Sequence, residues 1–293
     1  MRAWPDCMAC LLTMSLAVAR RVTRNEAEAR EFLRDEVMAS GLVSEASFER
    51  FTPEIVRDIW IRLTDRYGDP DPLRDERRLQ NEAALALYPE ARVYVTRSPD
   101  PLVAAVKLSI AGNMLDAMRE VDGLPPAEII DQLEREVITE ETMNDFRRRL
   151  ARATSVVWLT DNCGEIVFDR LAVETVKCIY PVRVAVVTRT LPVVNDAVLE
   201  DALAVGMAGA ADAVLENGIN EPLPSTNVAK LSTEVRKLVN AADLIISKGV
   251  GNYELLSEEL SVRGRITFLV HGKCLPMCRE GGVEKGGLIV YNH

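Results

Sequence analysis

The stretch VVWLTDNCGEIVFD (residues 156–169) decides how the chain is read. Its apolar run, Val156 to Leu159, has the length of a buried strand and stops abruptly at Asp161 and Asn162. A helix-like segment, 165–178, follows at once. The same rhythm recurs downstream. Strand-length apolar runs lie at 182–187, 213–215, 244–246 and 266–270, with helix-like segments at 196–205 and 227–239 between them. Strands alternating with helices predict an α/β fold with a Rossmann-like, mostly parallel sheet flanked by helices. In such a sheet, ligands bind beyond the carboxyl ends of the strands. The polar residues that directly follow the runs are therefore the candidates: Asp161 and Asn162, Arg189, Glu216 and Asn217, Lys248 with Gly249, and His271, Gly272 and Lys273. Asn195 and Asp196 come slightly later, after a Thr190-Leu191-Pro192 turn.

Ahead of this region the pattern is helical. Segments 26–38, 52–67 and 78–87 have helical spacing, with Ile55, Val56, Ile59, Trp60 and Leu63 forming one apolar face. Pro101 suits the first position of a long apolar helix, LVAAVKLSIAGNMLDAM, and Thr139 suits a cap before Glu140 and Glu141. The chain thus divides into a mainly helical N-terminal domain, residues 1–150, and an α/β catalytic domain, residues 151–293. Residues 7–19 are apolar and read as a buried first helix, because Asp6 interrupts a secretory pattern. No run reaches the roughly 18 apolar residues that span a membrane.

Composition narrows the function classes. A formal charge of -10 over 293 residues disfavours a binder of nucleic-acid backbones. The six cysteines, Cys7, Cys10, Cys163, Cys178, Cys274 and Cys278, are too sparse for a disulfide scaffold in a chain this long, so a reducing cytoplasm is expected. CMAC and CLPMC could hold zinc or be redox-active, but structural or inert buried thiols are the expected reading. Two histidines, one of them terminal, leave no basis for a Ser-His-Asp or Cys-His design. Nothing in the pattern speaks to oligomeric state.

Asp161, Asn162 and Asp196 offer hard oxygen donors of the kind that bind Mg²⁺ or Mn²⁺ with water and phosphate oxygens. Lys248 and Lys273 could hold phosphate as point charges. Together they suggest metal-assisted phosphoryl chemistry. Each also has a plain structural reading. Asp161 and Asp196 are good helix caps, and Lys248 before Gly249 suits a solvated loop. SKGVGNYE (247–254) looks like a phosphate-cradling loop, yet has the spacing of neither a Walker loop nor a dinucleotide fingerprint. In AGNMLDAM, Gly112 and Asn113 interrupt an apolar helix, and Asp116 shares a face with Asn113.

These segments in order, CMAC, AGNMLD, TDNCGE, PVVNDA, ISKGVGNYE and HGKC, resemble the damage-control phosphatase family over nearly the whole chain. The CxxC opening is similar to its shorter, prokaryotic-type branch. The resemblance implies a metal-dependent phosphatase of sugar phosphates and related metabolites, using Mg²⁺, Mn²⁺, Co²⁺ or Ni²⁺. It implies metal ligands at Asp161, Asn162 and Asp196, and a catalytic lysine at Lys248. Asn113 and Asp116 would line the substrate pocket, with Glu165, Asn195, Gly249, Asn252 and Lys273 around them. Water would attack phosphorus directly, oriented by Asp116 or Glu165, or after an aspartyl intermediate. Two other readings compete. An S-adenosylmethionine-dependent methyltransferase would suit the sheet pattern, but TDNCGE lacks the glycines of its cofactor loop. A non-enzymatic metal- or metabolite-binding protein would show no hydrolysis.

Overall fold

The computed structural model describes residues 1–112, 133 and 135–293. Asn113 and Asp116 lie outside the described residues. The chain opens with α1 (Pro5–Thr23) and α2 (Glu26–Phe32), the latter running on as a π-helical turn, Leu33–Met38. Next come α3 (Thr52–Tyr67), α4 (Arg74–Arg97), α5 (Pro101–Ala111) and α6 (Glu140–Arg152). Local chemistry sets their ends. Asp100 caps α5 by accepting the Val103 N–H at 3.1 Å, and Pro101 occupies the first turn. Thr139 caps α6 through the Thr142 N–H. Gly68 ends α3 in the left-handed conformation at φ 69°. Ile55, Ile59, Trp60 and Leu63 bury one face of α3, as their spacing predicts. Helix α4 is longer than the sequence pattern indicated and continues through Pro89.

The strands are β1 (Ser155–Leu159), β2 (Arg183–Thr188), β3 (Ala213–Glu216), β4 (Leu244–Lys248), β5 (Ile266–His271) and β6 (Leu288–Asn292). The helices among them are α7 (Glu165–Ile179), α8 (Leu199–Ala204), α9 (Thr233–Ala241), α10 (Gly249–Leu256) and α11 (Leu275–Gly281). The sheet runs in the order β3-β2-β1-β4-β5-β6. Neighbours from β3 to β5 are parallel, with Val157 opposite Ala185 and Ile245, and β6 is antiparallel to β5.

This architecture corrects the fold expected from sequence. The chain is not a Rossmann-like fold with a mostly parallel sheet flanked by helices. It is predominantly helical, with a small mixed sheet. Two features produce the difference. Helices fill the described residues ahead of β1, and the closing run LIVYN forms an antiparallel edge strand that the strand-helix rhythm did not include.

Alternate residues along the strands enter two apolar clusters. Val156, Trp158, Val184, Val186, Leu244 and Ile246 pack with α5 and α7. Val157, Leu159, Ile245 and Phe268 pack with Val235, Val239, Tyr253 and Leu256. Helix α5 lies very close to α7: a Cβ at Gly112 would fall 2.9 Å from both the Glu165 Cα and the Phe168 Cδ2. That contact explains the glycine that interrupts the apolar pattern of α5. Among the described residues no helix is long and apolar enough to cross a membrane.

Candidate active site

The site forms where β1, β2 and β4 end. After β1 the chain runs through Thr160 to Asp161 and Asn162 and enters α7 only after Gly164. After β2 it passes Arg189, turns, and doubles back. Asn195 to Ala197 then pairs with Asp161 to Cys163 as a short backbone ladder. The Ala197 N–H donates to the Asp161 carbonyl at 2.8 Å, and the Cys163 N–H donates to the Asn195 carbonyl at 2.9 Å. Asn162 and Asp196 are antiparallel bridge partners. Asp161, Asn162 and Asp196, which are 35 positions apart at their extremes in sequence, are therefore fixed together by main-chain bonds. All three are buried.

The turn carries a local strain. Val194 has φ 49°, a region that a β-branched side chain rarely adopts. Such outliers persist where the surroundings over-determine them, commonly at functional sites. Val194 is buried in the core beside α1 to α3 and directly precedes Asn195 and Asp196.

Neither acid acts as a helix cap. The N-cap of α7 is Gly164, and the Val198 N–H at the start of α8 is received by Asp201. Gly249, at φ 78°, opens α10 directly after β4, so SKGVGNYE is a strand end and helix rather than a loop. A Cβ at Gly249 would lie 2.0 Å from Asp161 Oδ2. Glycine is required there both by the backbone and by the carboxylate beside it.

Arg189 faces the two acids. Its Nε donates to Asp196 Oδ2 at 2.6 Å, and its Nη2 lies 3.8 Å from Asp161 Oδ1. Asn252 is fully buried: its amide donates to the carbonyls of Thr160 and Lys248 at 3.0 and 2.8 Å, and its Oδ1 accepts Arg189 Nη1 at 3.1 Å. It ties the ends of β1 and β4 to the arginine.

Lys248 is not a solvated loop lysine. It is fully buried and its ammonium donates to the Ser109 carbonyl at 2.7 Å, Glu165 Oε1 at 2.6 Å and Asp169 Oδ1 at 2.9 Å. The Ser109 hydroxyl also donates to Asp169 Oδ1 at 2.6 Å. Two carboxyls thus face one ammonium. Burial pushes Glu165 up to about 8, against the pull of Lys248 and with the push of Asp169 and Asp161. Burial opposes the charge on Lys248, yet Asp169 and Glu165 outweigh it and raise the ammonium above its usual range. Lys273 follows β5 at the same carboxyl edge of the sheet, half-buried.

Helix α4 supports the TDNCGE turn from the helical side. Asn81 Oδ1 accepts the Gly164 N–H at 2.7 Å, and Asn195 Nδ2 donates to Gln80 Oε1 at 3.4 Å. Arg77, buried one turn earlier, donates to Asp201 at 3.0 Å and also pairs with Asp71. Cys163 is buried beside this group. Burial, reinforced by Asp201, pushes its thiol well above the usual range. All six cysteines are free.

Sequence reasoning brought together Asp161, Asn162, Asp196, Glu165, Asn195, Lys248, Gly249 and Asn252, and the structure gathers these around one centre. It did not assign roles to Arg189, Asp169, Ser109, Gln80 or Asn81. The signals were present: Arg189 directly follows β2, Asp169 is four residues after Glu165 and so on the same face of α7, and Arg77, Gln80 and Asn81 share one face of α4.

Among the described residues no group of three or more His, Cys, Asp or Glu side chains is placed to hold a metal, and this includes the CMAC and CLPMC thiols. The set at this centre has a different makeup, two carboxylates and one amide. Such oxygen donors fit a hard divalent cation, and the missing Cβ at position 249 leaves Asp161 the room to serve as one.

Residues 3–289 match the damage-control phosphatase ARMT1-like domain, and the chain belongs to that family. Membership supports an enzymatic, phosphatase-like role. The chain is 33% identical to a damage-control phosphatase of Archaeoglobus fulgidus, over 99% of this chain and 98% of that protein. It is 27% identical to a damage-control phosphatase of Pyrococcus horikoshii, over 99% and 97% respectively. A crystal structure of a DUF89 family protein from Pyrococcus horikoshii superposes with a TM-score of 0.83 at 26% identity, covering 100% of both chains.

Proposed function

We propose that the chain is a metal-dependent phosphatase that hydrolyses phosphate monoesters of small metabolites such as sugar phosphates, in a cytoplasmic damage-control role. The observation that carries this reading is the backbone ladder that fixes Asp161, Asn162 and Asp196 at one point beyond the sheet. Asp161, Asn162 and Asp196 would hold one divalent ion, with Mg²⁺, Mn²⁺, Co²⁺ and Ni²⁺ as candidates. When bound, that ion polarises a phosphoryl oxygen and makes water a better nucleophile.

The chain's own residues supply the rest. Gly249 keeps the space beside Asp161 open. Lys248 uses its donors on Ser109, Glu165 and Asp169, so it acts by holding the two acids in place. Glu165 keeps its proton up to about pH 8 and suits a donor to the departing oxygen better than a base. Asn195 and Lys273, with Asn113 and Asp116 from the helical N-terminal domain, would contact the substrate, and Asn252 braces the strand ends. We take residues 151–293 as the catalytic domain, and the CxxC opening supports assignment to the shorter, prokaryotic-type branch.

The test is phosphate release from a panel of phosphate monoesters with each of the four metals. We expect metal-dependent turnover that Asp161→Ala abolishes while circular dichroism stays unchanged. An Asp161→Ala protein that turns over as fast as the parent would remove the assignment.

A further inference from the structure

Resting on the phosphatase reading, we propose that Arg189 reads the phosphate group of the substrate through the Nη2 edge of its guanidinium. The side chain is 3% exposed, and its fork is unevenly used. Nε is committed to Asp196 Oδ2 at 2.6 Å. Nη1 is committed to Asn252 Oδ1 at 3.1 Å and to Thr226 Oγ1 at 3.3 Å. Nη2 is buried and has no hydrogen-bond acceptor among the described residues. The charge facing it is Asp161 Oδ1, 3.8 Å away and beyond hydrogen-bond range.

The committed nitrogens fix the plane of the guanidinium. Asn252 is itself pinned by the carbonyls of Thr160 and Lys248, so the plane cannot easily rotate. The remaining edge is held beside Asp161, where a phosphoryl group joining the ligand shell of Asp161, Asn162 and Asp196 would arrive. Buried donors rarely stay without an acceptor in a folded chain. A phosphate oxygen is the partner that an arginine fork matches best. A phosphate dianion would also bring the negative charge that a guanidinium flanked by an occupied metal site can accept.

Arg189 has a second consequence of opposite sign. Its positive charge lies against two carboxylates that would bind a cation, so it weakens metal binding when no phosphate is present. A side chain that only braced Asp196 would strengthen both kinds of binding. The two roles therefore separate.

The experiment titrates the full chain with Mn²⁺ alone, then titrates the Mn²⁺-loaded protein with inorganic phosphate, using calorimetry. Arg189→Gln is expected to bind Mn²⁺ as tightly as the parent or tighter, and phosphate about 10- to 100-fold more weakly, the range for losing a charged hydrogen bond. Arg189→Lys keeps the charge but loses the fork; it should bind Mn²⁺ like the parent and phosphate several-fold more weakly, and it decides the matter if Arg189→Gln does not fold. Unchanged phosphate affinity in the folded variant overturns the proposal. So does a parallel loss of Mn²⁺ and phosphate affinity, which marks a bracing role. A parent protein that binds neither Mn²⁺ nor phosphate overturns the phosphatase reading, and this proposal falls with it.

Discussion

Replacing Lys248 by Met tests the buried trio of Lys248, Glu165 and Asp169. Methionine keeps most of the apolar stem and removes the ammonium. Three donated hydrogen bonds go with it, to Ser109 at 2.7 Å, Glu165 at 2.6 Å and Asp169 at 2.9 Å. The acids left behind are 1% and 0% exposed, and Glu165 Oε2 and Asp169 Oδ2 have no other hydrogen-bond partner among the described residues. Removing one partner of a buried ion pair costs about 3–5 kcal/mol, because the other charge is left uncompensated. With an unfolding entropy of about 2.1 cal/mol/K per residue over 293 residues, that loss lowers the melting temperature by roughly 5–8 °C. Thermal unfolding at pH 7, followed by circular dichroism, measures it. Adding Asp169→Asn to Lys248→Met should recover some of the loss, since the second carboxylate facing the lost ammonium is then an uncharged amide. A single variant that melts within about 1 °C of the parent, well short of that loss, would show that the ammonium does not hold the two acids. So would a double variant no more stable than the single one.

Three further outcomes follow from the same geometry. Gly249→Ala places a Cβ 2.0 Å from Asp161 Oδ2 at a backbone φ of 78°, so divalent-ion binding measured by calorimetry should fall at least about tenfold. Asn81→Ala strands the buried Gly164 N–H, which should cost about 1–3 kcal/mol in denaturant unfolding and lower turnover by misplacing the TDNCGE turn. Burial raises Glu165 and Glu254 to about 8, above the ordinary 4.5 of a glutamate, so the folded chain binds more protons than the unfolded one between those pH values. Their contribution is fully present below about pH 4.5 and is lost as pH rises through 8, and Glu254→Gln should flatten this decline in melting temperatures measured from pH 5 to 9.

Part of the candidate site was legible in the sequence, because Asp161, Asn162 and Lys248 stand at the ends of apolar runs. Val156 to Leu159 and the runs near 184, 214, 245 and 268 are strands, and the acids, amide and lysine that follow them do converge. The class of fold was not legible in the same way. LIVYN is a short apolar run with no helix after it, so the rhythm that marked the other strands left it unassigned, and it forms the antiparallel β6. The partners of Lys248 were hidden for a different reason. Ser109 and Asp169 lie 139 and 79 positions away, and an interior ion network leaves no local pattern. The role of Asp196 depended on a turn in which Val194 adopts φ 49°, a conformation that valine's own preferences oppose. Tertiary packing decides that turn, and a reading of local preference places a helix cap there instead.

The proposed chemistry rests on Asp161, Asn162 and Asp196 forming one divalent-ion site for phosphate-ester hydrolysis. Anomalous diffraction from crystals soaked in Mn²⁺ tests it most directly. A strong peak touching side-chain oxygens of Asp161, Asn162 and Asp196 is expected, with loss of that peak in Asp196→Asn crystals. Manganese bound elsewhere, with these three side chains free of it, would rule out this metal site.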